Sequence, residues 1–266
     1  MGDDARRRLA AAKRGALAGG EVAKRLFRTD LTVETKSSKN DTVTVADRDA
    51  QRRVIESLAR THPEEPVVGE EEDERKTVPE TGAAWIVDPI DGTNNYVRGG
   101  RVWGTAVASV RDGEALAAAF EMPALGDTYA AANDGATLNG APCRVSKERD
   151  PTAFQVVLPG FWAHGERDPL RQLVDGLAAR IGDLRRIGSA QASLAGVADG
   201  QFDAAVTNTA MAPWDTVAGV HLVREAGGRV TDVDGERWTP DASGVVASNG
   251  ACHDALLGAL EGRPQP

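Results

Sequence analysis

The first half of the chain carries two kinds of hydrophobic pattern, one with helical spacing and one typical of strands. Apolar residues recur at helical spacing over residues 4–28 and predict an amphipathic helix, and a second helix is expected over 48–60. Between them, two runs rich in β-branched residues, 31–36 and 42–46, flank a polar tip and predict a hairpin. Further strands, separated by turn residues, are predicted over 67–68, 85–88, 102–110, 114–121 and 128–132. This half is therefore expected to be an α+β unit built on an antiparallel sheet.

The pattern changes to alternating strands and helices after residue 150. Strands are predicted over 154–158, 185–187, 202–207 and 245–247, and helices over 169–180, 189–198, 215–226 and 251–260. Such alternation is typical of an α/β unit. No internal repeat or long linker separates the halves, so two subdomains, residues 1–150 and 151–266, are expected to meet along a cleft.

Composition and charge narrow the class of protein. With 266 residues, of which 41% are hydrophobic and 5% aromatic, the chain is long enough for a sizeable core and ordinary for a soluble globular protein. Its net charge of −9 argues against nucleic acid as a partner, because phosphate-backbone binding needs clustered Lys and Arg. No stretch approaches the roughly 18 consecutive apolar residues of a membrane helix, and the N-terminal residues lack the apolar core of a signal peptide. The protein is expected to be cytoplasmic, with no membrane partner.

The two cysteines, Cys143 and Cys252, do not indicate a chemical role. No CxxC pair occurs, and no histidine lies at ligand spacing from either residue. Neither a disulfide framework nor a zinc site is therefore expected, and both residues are predicted to be reduced thiols in the core.

One predicted strand runs directly into two carboxylates three residues apart, Asp88 and Asp91, which are followed by Gly92 and Thr93. Pro89 removes an N–H and fixes φ, so a turn is expected there. Two carboxylates about 4 Å apart repel each other by roughly 4 kcal/mol at an effective dielectric constant near 20, which requires cations or protons nearby. Gly92 and Thr93 are expected to open a helix, where free N–H groups attract phosphate oxygens. The alternative is a plain turn, because Asp-Gly is common in turns for purely local reasons.

Three further acidic residues lie at predicted element boundaries and could complete a metal site. Glu70 follows a short strand, Asp47 precedes the second predicted helix, and Asp215 opens a later one. The alternative for Asp47 and for Asp215 is a helix N-cap, which contributes on the order of 1 kcal/mol. Together with Asp88 and Asp91 they form a set of oxygen ligands without His or Cys, which is the set that hard Mg²⁺ prefers.

Four sequence blocks resemble the inositol monophosphatase superfamily, whose members are Mg²⁺-dependent, lithium-sensitive phosphatases. The blocks are Lys36-Ser37-Ser38 with Val45-Ala46-Asp47, Gly69-Glu70-Glu71, residues 88–93, and Trp214-Asp215 with Glu225-Ala226-Gly227-Gly228. Weaker matches, which extend the likeness over nearly the whole chain, occur at Leu138-Asn139-Gly140 and Ile187-Gly188-Ser189-Ala190. The resemblance implies a layered αβαβα sandwich, with an antiparallel-sheet half followed by an α/β half, and a homodimer.

The resemblance also implies which residues bind metal. Glu70, Asp88 and the backbone carbonyl of Ile90 would hold a first Mg²⁺ ion. Asp88, Asp91 and Asp215 would hold a second, so that Asp88 bridges the pair. Glu70 would also help to place a third, weaker ion, and two to three Mg²⁺ ions are therefore expected per subunit.

Catalytic and phosphate-binding roles fall, by the same resemblance, on neighbouring residues. The amides of Gly92 and Thr93 would hold the phosphate group. Thr93, hydrogen-bonded to Asp47, would orient the attacking water. Glu70 completes the expected catalytic set.

The alcohol side of the substrate is expected to contact Gly188, Ser189 and Ala190, although a Gly-Ser helix start is the structural alternative. Asn208 occupies a position where inositol monophosphatases usually place a glutamate that binds ring hydroxyls. An amide keeps an acceptor and loses the charge, so polyol binding is expected while specificity for inositol stays open.

The expected function is that of a Mg²⁺-dependent phosphomonoesterase. Its partner would be a small polyol or sugar phosphate, inositol 1-phosphate or fructose 1,6-bisphosphate, attacked by metal-activated water. The alternatives are a nucleotide 3′-phosphatase of the same superfamily and a metal-loaded regulatory protein without turnover. Kinase, dehydrogenase and serine-hydrolase functions find no support, because the chain has no Gly-Lys dipeptide, no GxGxxG and no GxSxG.

Overall fold

The computed structural model describes residues 2–29, 33–35, 42–71, 74–163, 165 and 167–260, the two segments 33–35 and 42–44 by their backbone alone. Its helices are α1 (Gly2–Leu26), α2 (Val45–Ala59), α3 (Thr93–Val97), α4 (Asp168–Ala178), α5 (Ala190–Ala198), α6 (Pro213–Glu225) and α7 (His253–Gly258). Its strands are β1 (Val33–Thr35), β2 (Thr42–Thr44), β3 (Val67–Gly69), β4 (Ala83–Asp91), β5 (Gly104–Arg111), β6 (Glu114–Met122), β7 (Asp127–Ala132), β8 (Gly135–Leu138), β9 (Ala141–Pro142), β10 (Gln155–Val157), β11 (Asp183–Arg185), β12 (Ala204–Thr207), β13 (Arg229–Thr231) and β14 (Val245–Ser248). Across these described ranges, every helix is too short or too polar to cross a membrane.

The larger sheet has seven strands in the order β3-β4-β5-β6-β7-β8-β9. Its first pair, β3 and β4, is parallel, and all the following neighbours are antiparallel. The turn between β5 and β6 is formed by Asp112 and Gly113, with φ of 51° and 78°, a backbone twist that suits a two-residue hairpin. The antiparallel strands predicted from turn residues are thus confirmed.

Helices cover both faces of the seven-stranded sheet, which explains why β4 is buried along almost its whole length. On one face, α1 and α2 pack against the sheet through residues such as Ala12, Val54 and Trp85. On the other face lie α5 and α6, in contact with β4, β5 and β6. The strands beneath α6 present small buried side chains to this layer, namely Ala106, Ala108, Ala118 and Ala131.

The smaller sheet has five strands in the order β11-β10-β12-β14-β13. β10 is parallel to β11 and β12, whereas β14 is antiparallel to β12 and β13. Its outer face is covered by α4 and α7 through Leu173, Leu177 and Leu256. The layers therefore run α1/α2, seven-stranded sheet, α5/α6, five-stranded sheet, α4/α7, and the expected αβαβα sandwich is confirmed.

Two glycines inside α1 allow that helix to approach its neighbours closely. A Cβ atom on Gly19 would lie 2.6 Å from Val54 Cγ2, and one on Gly20 would lie 2.9 Å from Pro123 Cγ. Glycine costs roughly 1 kcal/mol of helix propensity per position. At these two positions α1 lies so close to α2 and to the turn after β6 that a larger residue would not fit, which explains why both are glycine.

Two acidic residues expected at helix N-caps lie inside the first turn instead. α2 begins at Val45, so the prediction that Asp47 caps a helix starting at the next residue is wrong. α6 begins at Pro213 with Ala212 as its N-cap, so Asp215 is the third helical residue. Both carboxylates remain close to the positive end of a helix dipole, which is the reason that acidic residues are common there.

Other element boundaries also differ from prediction. The turn expected at Pro89 is absent, because β4 continues to Asp91 with a register irregularity. The strand predicted over 185–187 is found at Asp183–Arg185. β1 and β2 form the predicted antiparallel pair, and the predicted hairpin tip lies outside the described residues.

Both cysteines are free, buried thiols, as predicted. Cys143 belongs to the core between the large sheet and α6, and Cys252 to the core beneath α4 and α7. Burial raises the pKa of each thiol, which keeps both neutral.

Candidate metal and phosphate site

Three carboxylates converge where the end of β4 meets the first turn of α6. Asp88, Asp91 and Asp215 each place an oxygen within 4.8 Å of the others. In a regular strand, side chains three residues apart point to opposite faces. The register shift of β4 between Asp88 and Asp91 breaks that alternation and lets both carboxylates reach the same cluster.

Asp88 is the most deeply buried of these acids, with 1% of its surface exposed. Among the residues that the structure describes, its Oδ1 atom has no hydrogen-bond partner, although a buried carboxylate oxygen normally has one. Burial raises the pKa of Asp88 well above its ordinary value, and the charges of Glu70, Asp91, Asp215 and Asp47 add to the effect. A cation at this point would satisfy the oxygen and offset the repulsion among the acids.

Asp91 is held differently, because the N-terminus of α5 supplies its hydrogen bonds. Its Oδ1 accepts from the Ala190 N–H at 2.9 Å, and its Oδ2 accepts from the Gln191 N–H at 3.0 Å and from the Ser189 hydroxyl. Burial raises the pKa of Asp91 to about 6, while these donors act to lower it. The carboxylate is therefore fixed in orientation by a helix from the second half of the chain.

Thr93 lies between Asp47 and the backbone of β4. Its hydroxyl is 3.3 Å from Asp47 Oδ1 and 2.9 Å from the carbonyl oxygen of Ile90. A hydroxyl has a single hydrogen, so it can donate to one of these acceptors at a time. Asp47 is fully buried, and the structure thus brings the expected Thr93–Asp47 pair together.

Glu70 follows β3 and lines the same cavity as Asp91 and Asp215. The ammonium group of Lys76 donates to the carbonyl oxygens of Gly69 at 2.8 Å and Glu70 at 3.0 Å. The same ammonium lies 5.5 Å from the centre of the Trp214 ring. Lys76 thereby links the backbone beside Glu70 to the residue that precedes Asp215.

Gly92 is the N-cap of α3 and has a φ of 89°, which glycine adopts without strain. A Cβ atom there would lie 3.0 Å from the Val102 carbonyl oxygen and 3.3 Å from that of Gly188. Only glycine suits both the backbone conformation and the space. Gly92 and Thr93 border the cavity, next to the acidic cluster.

The cavity that contains these residues has a volume of about 710 Å³ and is lined by residues from both halves of the chain. Its acidic end is formed by Glu70, Asp91 and Asp215, together with Gly92 and Thr93. The rest of its lining includes Gly160, Phe161, Arg186, Gly188, Ser189 and Ala190, together with Arg98. Gly188, Ser189 and Ala190, the residues expected on the alcohol side, line this cavity, and Ser189 is at the same time the N-cap of α5. Their role toward substrate stays a prediction.

Asn208, also expected at the substrate, does not border this cavity. Its Oδ1 accepts from the Trp162 indole N–H at 3.2 Å, and its Nδ2 donates to the Pro169 carbonyl oxygen at 2.8 Å. Both ends of the amide are thus occupied by the protein. Its role toward substrate stays a prediction.

Sequence reasoning did not single out Arg186 or Asn95. Asn95 Nδ2 donates to the carbonyl oxygens of Val102 at 2.7 Å and Ile187 at 2.8 Å, which connects the two halves of the chain beside Gly92. Arg186 lies in the cavity wall, while its neighbour Arg185 pairs with Asp183 at 2.7 Å outside the cavity lining. Because neighbouring residues of a strand point to opposite faces, the sequence could have indicated that only one of the two arginines faces the cavity. Which one it is depends on where the strand ends.

The side chains present fit a hard divalent cation. All the donors are oxygens, three carboxylates approach one another closely, and Asp88 Oδ1 is buried without a partner. Asp88, Asp91 and Asp215, with Glu70 beside them, would hold such an ion. Neighbouring N–H groups at the start of α3 are of the kind that binds phosphate oxygens.

A layered α/β fold with an all-carboxylate cluster at the edge of a cavity, together with a family match along nearly the whole chain, places the protein among the metal-dependent hydrolases of phosphoric monoesters. The profile of the inositol monophosphatase family matches residues 4–265, and the chain belongs to that family.

Individual relatives agree with this assignment. The fructose-1,6-bisphosphatase/inositol-1-monophosphatase of Thermotoga maritima is 35% identical over 227 residues, which cover 85% of this chain and 84% of the relative. The histidinol-phosphatase of Mycobacterium tuberculosis is 36% identical over 236 residues, which cover 86% of this chain and 87% of the relative. A solved structure of a Thermotoga maritima IMPase superposes with a TM-score of 0.85 at 30% identity, over 95% of this chain and 96% of that one.

Proposed function

We propose that the chain is a Mg²⁺-dependent phosphomonoesterase that hydrolyses a small polyol or sugar phosphate, such as inositol 1-phosphate or fructose 1,6-bisphosphate. The buried Asp88 Oδ1, without a partner and surrounded by carboxylates, is the observation that carries the proposal. Oxygen donors without nitrogen or sulfur favour Mg²⁺ over zinc and other softer ions. The inositol monophosphatase family supplies the phosphate-ester class of substrate.

In this proposal, Glu70, Asp88, Asp91, Asp215 and the Ile90 carbonyl hold two to three Mg²⁺ ions. Bound Mg²⁺ lowers the pKa of an attached water molecule and neutralises charge on the phosphoryl oxygens. Asp91 contributes a carboxylate whose position is set in advance by the N-terminus of α5. The Asp91 side chain would therefore have to move less when Mg²⁺ binds.

The phosphate group and the attacking water are positioned by Gly92, Thr93 and Asp47. The N–H groups of Gly92 and Thr93 would donate to phosphate oxygens. When the Thr93 hydroxyl donates to Asp47, its oxygen can accept a hydrogen bond from the attacking water. Glu70, at the edge of the same cavity, would act on that water from the other side.

Phosphate release from a panel of esters tests the proposal. The unmodified protein should release phosphate from inositol 1-phosphate or fructose 1,6-bisphosphate in the presence of Mg²⁺, and EDTA should stop the reaction. Asp91→Asn should lower kcat by more than about 100-fold. The substitution removes the negative charge of a proposed metal ligand and disturbs the hydrogen bonds from α5 that orient the Asp91 side chain. The matched control is Asp241→Asn, an exposed aspartate outside the cavity, which should retain normal activity.

The alternatives give different results in the same experiment. A nucleotide 3′-phosphatase would prefer adenosine 3′,5′-bisphosphate to the sugar esters. A metal-loaded regulatory protein would show Mg²⁺-dependent thermal stabilisation but no phosphate release from any ester, and that outcome would contradict the proposal.

A homodimer and inhibition by Li⁺ are proposed from the family likeness, and a cytoplasmic location is proposed from the composition of the chain. Light scattering of the purified protein measures its oligomeric state. A Li⁺ titration of the phosphate-release assay measures inhibition, and fractionation of the source cells tests the location.

A further inference from the structure

Gln191 connects the strand that carries Asp91 to the helix that carries Asp215. It is the second residue of α5 and is fully buried. Its backbone N–H donates to Asp91 Oδ2 at 3.0 Å. Its side chain reaches α6, where Nε2 donates to the carbonyl oxygen of Trp214 and Oε1 accepts from the Gly219 N–H at 2.7 Å. One residue therefore contacts the supports of two of the three clustered carboxylates.

The two side-chain contacts lie on either side of Asp215 along α6. Trp214 is the residue immediately before Asp215, and Gly219 is four residues after it. In a regular α-helix, the Gly219 N–H donates to the carbonyl oxygen of Asp215 itself. A shift of the helix along its axis or a rotation about it would strain the hydrogen bonds to Gln191. These contacts therefore fix the position of the turn that bears Asp215.

Gly219 allows α6 to come close enough for these contacts. A Cβ atom on Gly219 would lie 2.9 Å from Gln191 Oε1 and 2.5 Å from Leu194 Cβ. Glycine is unfavourable inside a helix. Its presence at this position is explained by the close approach of α5 to α6, on which the hydrogen bonds of Gln191 depend.

A neutral amide suits a connection beside an acidic cluster. The Gln191 amide donates and accepts at the same time, which a carboxylate cannot do. A carboxylate would also add a negative charge near Asp91. The charges of the neighbouring acids already raise the pKa of Asp88, so a further charge would add to their repulsion. Gln191 orders the cluster without that cost.

We infer that Gln191 is a positioning residue that fixes the distance between Asp91 and Asp215 and so favours Mg²⁺ over larger divalent cations. The inference rests on the proposed function, in which these carboxylates bind the same ion. Mg²⁺ requires nearly ideal octahedral geometry at about 2.0–2.1 Å, whereas Ca²⁺ accepts a flexible set of oxygens at about 2.3–2.6 Å. Loss of the connection should therefore weaken the binding of Mg²⁺ more than that of Ca²⁺.

Calorimetric titration of the metal-free protein with Mg²⁺ and, separately, with Ca²⁺ tests the inference. Gln191→Met nearly keeps the volume of the side chain and removes both of its hydrogen bonds. The Kd for Mg²⁺ should rise by about 10-fold, as it does when an outer partner of a metal ligand is lost. The Kd for Ca²⁺ should rise by less than about 3-fold. Circular dichroism establishes that the variant is folded under the conditions of the titration.

Tyr129→Phe is the matched control, because it removes a buried hydrogen bond at the other end of α5. The Tyr129 hydroxyl donates at 2.7 Å to Asp199 Oδ2, and Asp199 is the C-cap of that helix. This variant should leave both Kd values unchanged. If Gln191→Met does not fold, Gln191→Asn takes its place, since it keeps the amide but is one methylene too short to make both contacts. The same change in the ratio of the two Kd values is expected.

The outcomes separate the inference from the proposed function. Equal weakening of Mg²⁺ and Ca²⁺ binding, or no change in either, would overturn the inference and leave the proposed function intact. If the unmodified protein binds Mg²⁺ but hydrolyses no ester, the proposed function fails and the two titrations still decide the role of Gln191. An unmodified protein that binds no Mg²⁺ would overturn both.

Discussion

At the scale of single residues, the two aspartates of β4 differ sharply although both are buried. Asp91 accepts hydrogen bonds from Ser189, Ala190 and Gln191, whereas Asp88 Oδ1 has no donor. One carboxylate is therefore held in place by protein groups, and the other is the one that the proposed cation would contact. The difference arises because α5, which is about a hundred residues further along the chain, supplies the hydrogen-bond donors to Asp91.

Ser189 caps α5 and also donates a hydrogen bond to Asp91, and a substitution at this position tests both roles. Its hydroxyl donates to Asp91 and accepts from the Ala192 N–H at 3.1 Å, as the N-cap of α5. Ser189→Ala should cost about 1–2 kcal/mol in the free energy of unfolding, because a cap and a bond to a carboxylate are lost. It should also raise the Mg²⁺ concentration needed for half-maximal activity by about 10-fold, as loss of an outer partner of a ligand does.

The control for this prediction is Ser193→Ala in the same helix. The Ser193 hydroxyl donates to the Ser189 carbonyl oxygen at 2.6 Å and, among the contacts of the described residues, forms no hydrogen bond with Asp88, Asp91 or Asp215. Denaturant unfolding and a Mg²⁺ titration of activity measure the two effects. An unchanged Mg²⁺ requirement in Ser189→Ala would show that the hydroxyl has no influence on the ligand.

At the scale of elements, α1 shows how packing overrides helix propensity. Three glycines occur on its buried side, and their surroundings differ. A Cβ atom on Gly15 would lie 3.4 Å from Val54 Cγ1, an ordinary contact, whereas one on Gly19 would lie 2.6 Å from Val54 Cγ2 and 3.0 Å from Thr105 Cγ2. The same substitution should therefore have opposite effects at two positions one turn apart.

Gly19→Ala should destabilise the protein by about 1–3 kcal/mol, because the added methyl group overpacks the contact with α2. Gly15→Ala should stabilise it by up to about 1 kcal/mol, since the gain in helix propensity meets no clash. Denaturant unfolding of the two variants beside the unmodified protein provides the comparison. Stabilisation by both substitutions would mean that α1 can move away from Val54.

Much of the element order could be predicted from the sequence, because strand and helix periodicities and turn residues are local signals. Two members of the carboxylate cluster could be predicted as well, since Asp88 and Asp91 lie in one short motif. The surroundings of Asn208 and Arg186 could not be. They depend on Trp162, Pro169 and Gly160, which are distant in sequence and meet them only in the folded chain.

At the scale of the whole molecule, the layer of α5 and α6 connects the two sheets and also carries part of the site. α6 supplies Asp215, and α5 supplies the donors to Asp91. His221, on the same α6, is 5% exposed, and its Nε2 has no hydrogen-bond partner within the described part of the chain. Burial, together with the charge of Arg224, lowers the pKa of His221 to about 4.

This histidine makes the stability of the fold depend on pH. Its pKa in the folded protein is lower than in the unfolded chain, where it is about 6.5, so the unfolded state takes up a proton first as the pH falls. The contribution of neutral His221 is complete above about pH 6.5 and is lost progressively toward pH 4. Between pH 7 and pH 5 the loss should be about 2 kcal/mol.

His221→Leu should remove that part of the pH dependence. Urea unfolding at pH 7 and pH 5, with EDTA present so that metal does not contribute, measures the free energy for both proteins. The difference between the two pH values should be about 2 kcal/mol smaller in the variant than in the unmodified protein. Identical pH dependence would show that His221 is protonated in the folded protein at the same pH as in the unfolded chain.

The alanines beneath α6 have a consequence for how the site could change in evolution. Ala106, Ala108, Ala118 and Ala131 set how closely α6 approaches the large sheet, and so how far Asp215 stands from the aspartates of β4. A larger side chain at any of them would lift the helix and widen the spacing of the carboxylates. Wider spacing suits a larger cation such as Ca²⁺ or Mn²⁺ more than Mg²⁺. In the proposed metal site, the preference for one ion over another would thus depend on buried alanines that do not belong to the site.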